Sequence, residues 1–433
     1  MKKHFALCFL WMLTVHLSAQ NVDTVYTEKY LTHSTRFAWT TLGGDLLALP
    51  GGNAAYLENG QTLKNTSFGT ALFPRLTIGG IHFWGHADFY VTFPLPLRIT
   101  SKPDVFEEMT YTEGIETGLK LYPFALKPNS LRPYAGISFK SITYGHQSKN
   151  TSFREGFPVY QRFISPLQLG LTYTTGKYLF TAGIQYLHKR NATYFIGENT
   201  TGNLRFNPVS FQASFLYYWD ADAGARSAKG IEQENIKHHL LAKNNKLSSF
   251  YWGVGPSAGF QMSKSPYFKR YKPYFENDIS SGFMPDLTFG YFFSKPDINI
   301  GLSYRTFGAK FQAFDTDLRK RRHSVMVESY KFLFNYLGFV PFVGVTGSIE
   351  HLSVDVNGTT TQKTQPAIGF IFGWDIRVTK TGTSLLRTNL RYIPDLHLLV
   401  ENEKVMFNHL EFNFIQYVRF IGRNKFYQQY RKS

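Results

Sequence analysis

The stretch FGWDIRV, residues 372–378, sets Asp375 and Arg377 two positions apart, with Gly373 on the same parity. Phe372, Trp374, Ile376 and Val378 alternate with them. Side chains two residues apart share a face only on a strand, so this segment predicts a strand with one apolar and one ionic face. The pattern recurs. In DINIGLSYRT, residues 297–306, Arg305 stands with Asp297, Asn299, Gly301 and Ser303 against Ile298, Ile300, Leu302 and Tyr304. Across the chain the polar faces collect Glu116, Lys120, Lys140, Arg305, Lys331, Glu350, Asp375, Arg377, Arg387, Arg391 and Glu411. Such residues can do two things. Lining water, their basic excess favours anions. Away from water, they must pair with one another. The sequence leaves both open.

Catalytic chemistry has less to work with. The single cysteine is Cys8, which leaves no other thiol for a nucleophile, a disulfide or a metal. A hydroxyl or carboxylate nucleophile needs a histidine beside it. His82 and His86 have no such companion in the pattern, and no serine and histidine cluster recurs. His238 and His239 are adjacent, and neighbours on a helix do not face one ion. No enzyme, metal or cofactor is expected.

The elements that carry the ionic faces form a plan written twice. Pro133-Tyr134-Ala135-Gly136 returns as Pro341-Phe342-Val343-Gly344. Phe37-Ala38-Trp39 matches Phe250-Tyr251-Trp252, and Pro74 to Gly79 matches Pro285 to Gly290. Phe206-Asn207 with Phe211 matches Phe407-Asn408 with Phe412. Matches in the same order predict a duplicated unit. The first copy predicts strands near 36–47, 68–80, 86–94, 112–123, 133–144, 165–175, 178–189 and 207–219. Their connections alternate long and short, and the second copy repeats this, with a long connection expected at Ala309 to Val327.

MKKHFALCFLWMLTVHLSAQ opens the chain with two lysines, an apolar core and small residues before Gln20, the pattern of a secretory signal peptide cleaved after Ala19. Aromatic residues make up 17% of the chain against 18% charged, more aromatic surface than a soluble secreted domain needs. In hydrocarbon every backbone polar group needs an internal partner, so strands span only as closed barrels. Alternating loop lengths, an apolar outer face and interfacial aromatics all follow from that geometry.

At this point the chain resembles the outer-membrane β-barrels of Gram-negative bacteria. Each unit resembles the eight-stranded membrane domain of the OmpA/OmpX/OmpW type, by pattern over residues 30–420. The last strand, with Phe412, Phe414, Val418 and Phe420, is similar to the closing strand that the assembly machinery recognises, although Gln416 departs from it and thirteen residues follow Phe420. The resemblance implies an all-β, antiparallel, up-and-down transmembrane barrel in the outer membrane. The expected layout is a signal peptide at 1–19, a first unit at 20–220, a polar linker at 221–249, a second unit at 250–420 and a basic tail at 421–433. Ile231, Ile236, Leu240 and Leu241 predict a short helix in the linker. The expected closure is one barrel of about sixteen strands, with two tandem barrels of eight as the alternative.

The formal charge is +17. For an envelope protein that excludes nucleic acid as the natural partner and points to anionic lipid. Lys269, Arg270 and Lys272, and the run Arg319, Lys320, Arg321 and Arg322, fall in expected outer loops, where they would meet lipopolysaccharide. The leading functional expectation is a passive pore with an anion bias. The alternative is a non-conducting structural or interaction barrel serving adhesion, envelope or secretion assembly.

Overall fold

The computed structural model describes residues 38–97, 99–149, 157, 159–220, 228–275, 281–335, 338–377 and 382–423. The expected signal peptide and all of the tail beyond Arg423 lie outside them. Eight strands form a first ring: β1 (Trp39–Leu49), β2 (Ala71–His82), β3 (Ala87–Pro94), β4 (Glu116–Leu121), β5 (Leu131–Ser148), β6 (Leu167–Thr175), β7 (Tyr178–Tyr186) and β8 (Val209–Asp220). Eight more form a second: β9 (Ser249–Gln261), β10 (Ser281–Phe293), β11 (Ile298–Ala313), β12 (Thr316–Phe332), β13 (Phe339–Val356), β14 (Thr359–Ile376), β15 (Ser384–Tyr392) and β16 (His409–Phe420). Neighbours are antiparallel throughout both rings.

Closure corrects the sixteen-strand expectation. β1 pairs with β2 on one side and β8 on the other, with Trp39 opposite both Ile81 and Asp220. β9 pairs with β10 and β16, with Tyr251 opposite Gly290 and Phe420. Each set of eight therefore satisfies its own edges. β8 has no edge left to offer β9, and a ring of eight is narrow enough for side chains to fill. Of the matched segments, Trp39 and Trp252 fall on the first strand of their rings, Pro74 and Pro285 on the second, Pro133 and Pro341 on the fifth, and Phe211 and Phe412 on the eighth, while Phe206-Asn207 and Phe407-Asn408 precede that last strand and Phe37 lies outside the described residues.

The repeated Pro-aromatic-small-Gly stretch has a packing role. Tyr134 and Phe342 point inward near the start of the fifth strand, where each ring lies against a glycine of the next strand. A Cβ on Gly170 would stand 2.7 Å from Tyr134 Cε1, and one on Gly373 would stand 2.6 Å from Phe342 Cζ. An aromatic laid over an inner glycine lets a small barrel bend without a void.

The ends differ. At one end the turns are short, as at Phe83–Gly85 and Gly176. At the other, the first ring carries a four-stranded sheet (Gly52–Glu58, Thr62–Phe68, Asn191–Gly197 and Thr200–Phe206) over a core that includes Phe68, Tyr111, Tyr144 and Phe206. The second ring carries a short helix, Pro266–Tyr271, and the hairpin His397–Val400 with Glu403–Met406, packed around Phe268, Phe275 and Phe311. The connection expected as a loop from Ala309 to Val327 is instead a continuation of β11 and β12. It turns only at Phe314-Asp315, where both residues have positive φ. Between the rings, helix α1 (Ala228–Lys243) occupies the linker.

The two rings touch along their outer walls. Phe89 packs on Trp374, Phe93 on Phe414, and Phe163 on Phe260, with ring centroids 5.8, 6.2 and 5.0 Å apart.

Candidate functional site: two ionic interiors

Alternation along each strand sends one set of residues inward, and in the first ring Arg75 on β2 is the hub. Its guanidinium meets Asp45 on β1, Glu113 at 2.9 Å and Glu116 on β4 at 2.8 Å. Lys140 on β5 donates to Glu113 at 2.8 Å and lies 3.1 Å from Glu116. Gln168, Gln185 and Tyr90 complete the shell around Glu116. Lys120 lies 3.6 Å from Asp88 and over the Tyr90 ring.

The second ring is denser. Asp286 on β10 lies 2.9 Å from Arg391 and 3.4 Å from Arg305, and accepts from Asn413. Glu328 meets Arg305 at 3.0 Å and Arg391 at 2.7 Å. Glu411 meets Arg305, and Arg322 at 2.6 Å. Arg322 is bidentate on Glu350, and Arg387 is bidentate on Asp375. Here the inward cations Arg305, Lys320, Arg322, Arg387 and Arg391 face the inward carboxylates Asp286, Glu328, Glu350, Asp375 and Glu411. Glu116, Asp286, Glu350 and Asp375 have 0% exposure, so no water column reaches them. Bidentate guanidinium–carboxylate pairs fix both partners and neutralise them together.

The structure thus brings most of the expected inner residues together, as pairs. Lys331 is an exception. It lies on the outer face of β12 at the short-turn end, donating to the Pro296 carbonyl. Arg377 sits at the same end, 3.5 Å from Asp375. Arg75, Asp45, Glu113, Asp286 and Glu328 escaped the sequence reading. Parity was the available signal: Arg75 and Asp286 hold the same position in PRLTIG and PDLTFG.

The outer wall of the second ring reads as rows across β11, β12, β13 and β14. Ile300, Ser329, Val345 and Phe370 form one row, then Leu302, Val327, Gly347 and Ile368, then Tyr304, Val325, Ile349 and Pro366. The next row turns polar: Thr306, His323, His351 and Thr364. Above it come Arg321 and then Arg319 beside Lys310. An apolar belt ending in such a row is the outer profile of a membrane-spanning barrel. At the short-turn end, aromatics such as Tyr178, Tyr217 and Trp219 on the first ring and Trp252 and Tyr417 on the second edge the belt.

This corrects the lipid-contact expectation for half of its basic run. Arg319 and Arg321 are exposed, but strand parity turns Lys320 and Arg322 inward. Lys320 donates to Gln261 Oε1 and the Met406 carbonyl. Lys269 and Arg270 are exposed on Pro266–Tyr271, with Lys272 half-buried just beyond it. Arg270 donates to Glu403 at 2.7 Å, a bond that raises its pKa.

No protein-family model matches the sequence, and no curated protein matches it. Solved structures do. Neisserial surface protein A is 20% identical over 40% of this chain and 97% of its own, with a TM-score of 0.29. The outer membrane protein OprG from Pseudomonas aeruginosa is 13% identical over 43% of this chain and 97% of its own, with a TM-score of 0.31. The COG4313 outer membrane channel from Pseudomonas putida F1 is 9% identical over 88% of this chain and 95% of its own, with a TM-score of 0.21.

Proposed function

We propose that this chain is an outer-membrane protein whose two eight-stranded barrels, joined side by side, serve as a non-conducting structural or interaction module. One observation carries the reading: every inward charge of the earlier pore reading is held by an opposite charge inside its ring, with Lys331 and the end residue Arg377 apart. Arg387 and Arg391, which that reading made selectors of anions, are bonded to Asp375, Asp286 and Glu328. A solute entering either ring would have to displace pairs buried on all sides, at a cost of several kcal/mol per ion. The accessible chemistry then lies on the outside, in the folded caps at the long-connection end and in the basic wall beneath the second cap. Arg319 and Arg321, with Lys310, stand just above the apolar belt. In this reading that end faces outward and these residues contact lipopolysaccharide phosphate.

The test is conductance. Purified protein, refolded and inserted in a planar bilayer, should give no discrete steps, while its gel mobility still shifts between unheated and boiled samples. Regular steps from the same folded preparation would restore the pore.

A further inference from the structure

At the short-turn end of the second ring, between α1 and the barrel mouth, lies a cavity of about 230 Å³. Two guanidinium groups line it, Arg377 just after β14 and Arg423 just after β16. Arg423 is only 5% exposed, and among the described residues it has no carboxylate partner. It donates to Ser249 Oγ at 3.0 Å, the Gly382 carbonyl at 3.2 Å and the Leu247 carbonyl at 2.5 Å, all neutral acceptors. A guanidinium has more donors than these acceptors use. Arg377 touches Asp375 at 3.5 Å, but that carboxylate is already held by both nitrogens of the Arg387 fork, and Arg377 Nε is buried without a partner. The Phe292 ring lies between the two cations, 5.4 Å from Arg377 and 5.8 Å from Arg423. Among the described residues Asp297 is the one carboxylate on the cavity wall.

Burial first, and then the like charge of Arg377, pull Arg423 down to about 9. A guanidinium does not give up its proton in a protein. The charge stays, and what Arg423 lacks among the described residues is a counter-charge of its own. Leaving a buried ion unpaired is among the costlier arrangements a protein can hold.

We propose that this cavity binds a small oxyanion, a phosphate or a carboxylate, gripped between Arg377 and Arg423. Ser294, Asn335 and Ser384 supply further polar groups on the wall. Phe292 and Phe420 give it an aromatic floor, which suits an oxyanion carried on a larger molecule in the compartment at this end. The proposal does not depend on whether the barrels conduct.

Calorimetric titration of the full mature chain in detergent micelles, with inorganic phosphate and with acetate at constant ionic strength, tests it. Saturable binding of at least one probe is expected. Arg423→Gln and Arg377→Gln should each weaken it about tenfold or more, the effect of losing a charge-assisted bond, while both variants keep the heat-dependent gel shift of the folded barrel. Tighter phosphate would identify a phosphate ester as the natural group, and tighter acetate a chain-end carboxylate. No saturable binding by the wild type, or unchanged binding in both arginine variants, overturns the proposal.

Discussion

Arg75 and Asp286 hold the same position in the two rings, each one residue after a proline on the second strand, and each is the hub of a cluster of opposite sign. Arg75 gathers Asp45, Glu113 and Glu116; Asp286 gathers Arg305 and Arg391. The two interiors are charge-inverted versions of one packing plan. What both require is a central ion whose neighbours come from several strands, so that the ring is tied across its axis.

Removing the hub should therefore be worse than removing a spoke. Arg75→Ala leaves three buried carboxylates around an empty centre, and its cost is expected at about 3–5 kcal/mol. Lys120→Ala removes one longer ion contact, to Asp88, together with the ammonium's place over the Tyr90 and Tyr134 rings, and should cost less. Equilibrium urea unfolding in lipid vesicles measures both. A smaller loss for Arg75→Ala than for Lys120→Ala would contradict the hub role.

The strands were legible because period two survives in the residues themselves: Ile298, Ile300, Leu302 and Tyr304 announce a wall whatever the wall encloses. Closure was not. Whether Phe250 to Phe260 pairs backward to β8 or forward to β16 depends on backbone partners far apart in sequence, and a duplicated pattern fits either ring. The role of the inner charges followed closure. In a wide barrel Arg387 and Arg391 would meet water; in a ring of eight they meet Asp375 and Asp286. The run Arg319 to Arg322 misled for a related reason. Four basic residues in a row look like a solvated loop, yet on a strand extended past the belt every second one turns inward to Glu350 or Gln261.

The inner aromatic-over-glycine contacts give a separable test. In the second ring Tyr251 covers Gly290 and Gly301. A Cβ at Gly301 would lie 2.6 Å from Tyr251 Oη and no nearer than 3.4 Å to its other neighbours. Gly301→Ala should cost about 1–3 kcal/mol through overpacking. Tyr251→Phe also has a cost, since Asn299 Nδ2 loses its 2.6 Å bond to the hydroxyl. In the Tyr251→Phe background the added methyl meets less, so the double-mutant cycle should show a favourable coupling of about 1 kcal/mol. Strict additivity would mean that the hydroxyl is not what excludes a side chain there.

Asp297 predicts a pH effect. It lies in the turn between β10 and β11, and burial raises its pKa, partly offset by the charges of Arg377 and Lys331. A carboxyl with a raised folded pKa favours folding when protonated. That contribution is present below the unfolded value of about 3.9 and is lost as pH rises through the folded value. Asp297→Asn keeps the neutral form at every pH and suits the positive φ of 54° at this turn. The stability of the variant relative to wild type should thus rise between pH 3 and pH 7. A flat or falling difference would show that the attraction of Arg377 outweighs burial.

The polar row His323–His351–Thr364 should mark the edge of the hydrocarbon. If it does, position along the wall, and not residue type, sets the cost of a new charge. Val327 lies two rows into the apolar belt, between Leu302 and Gly347, so Val327→Arg should cost about 2–4 kcal/mol, as for a charge near the bilayer midplane. Thr364→Arg places the same group in the row with the histidines, where the interface reduces the penalty to about 0–1 kcal/mol. Both residues point outward, so neither change disturbs the inner ion pairs. Unfolding free energies in vesicles of one lipid compare them directly, and repeating the pair in a thicker bilayer should raise the cost at Thr364 more than at Val327. Equal costs at the two positions would place the belt elsewhere on this wall, and the reading of Arg319 and Arg321 as headgroup contacts would fall with it.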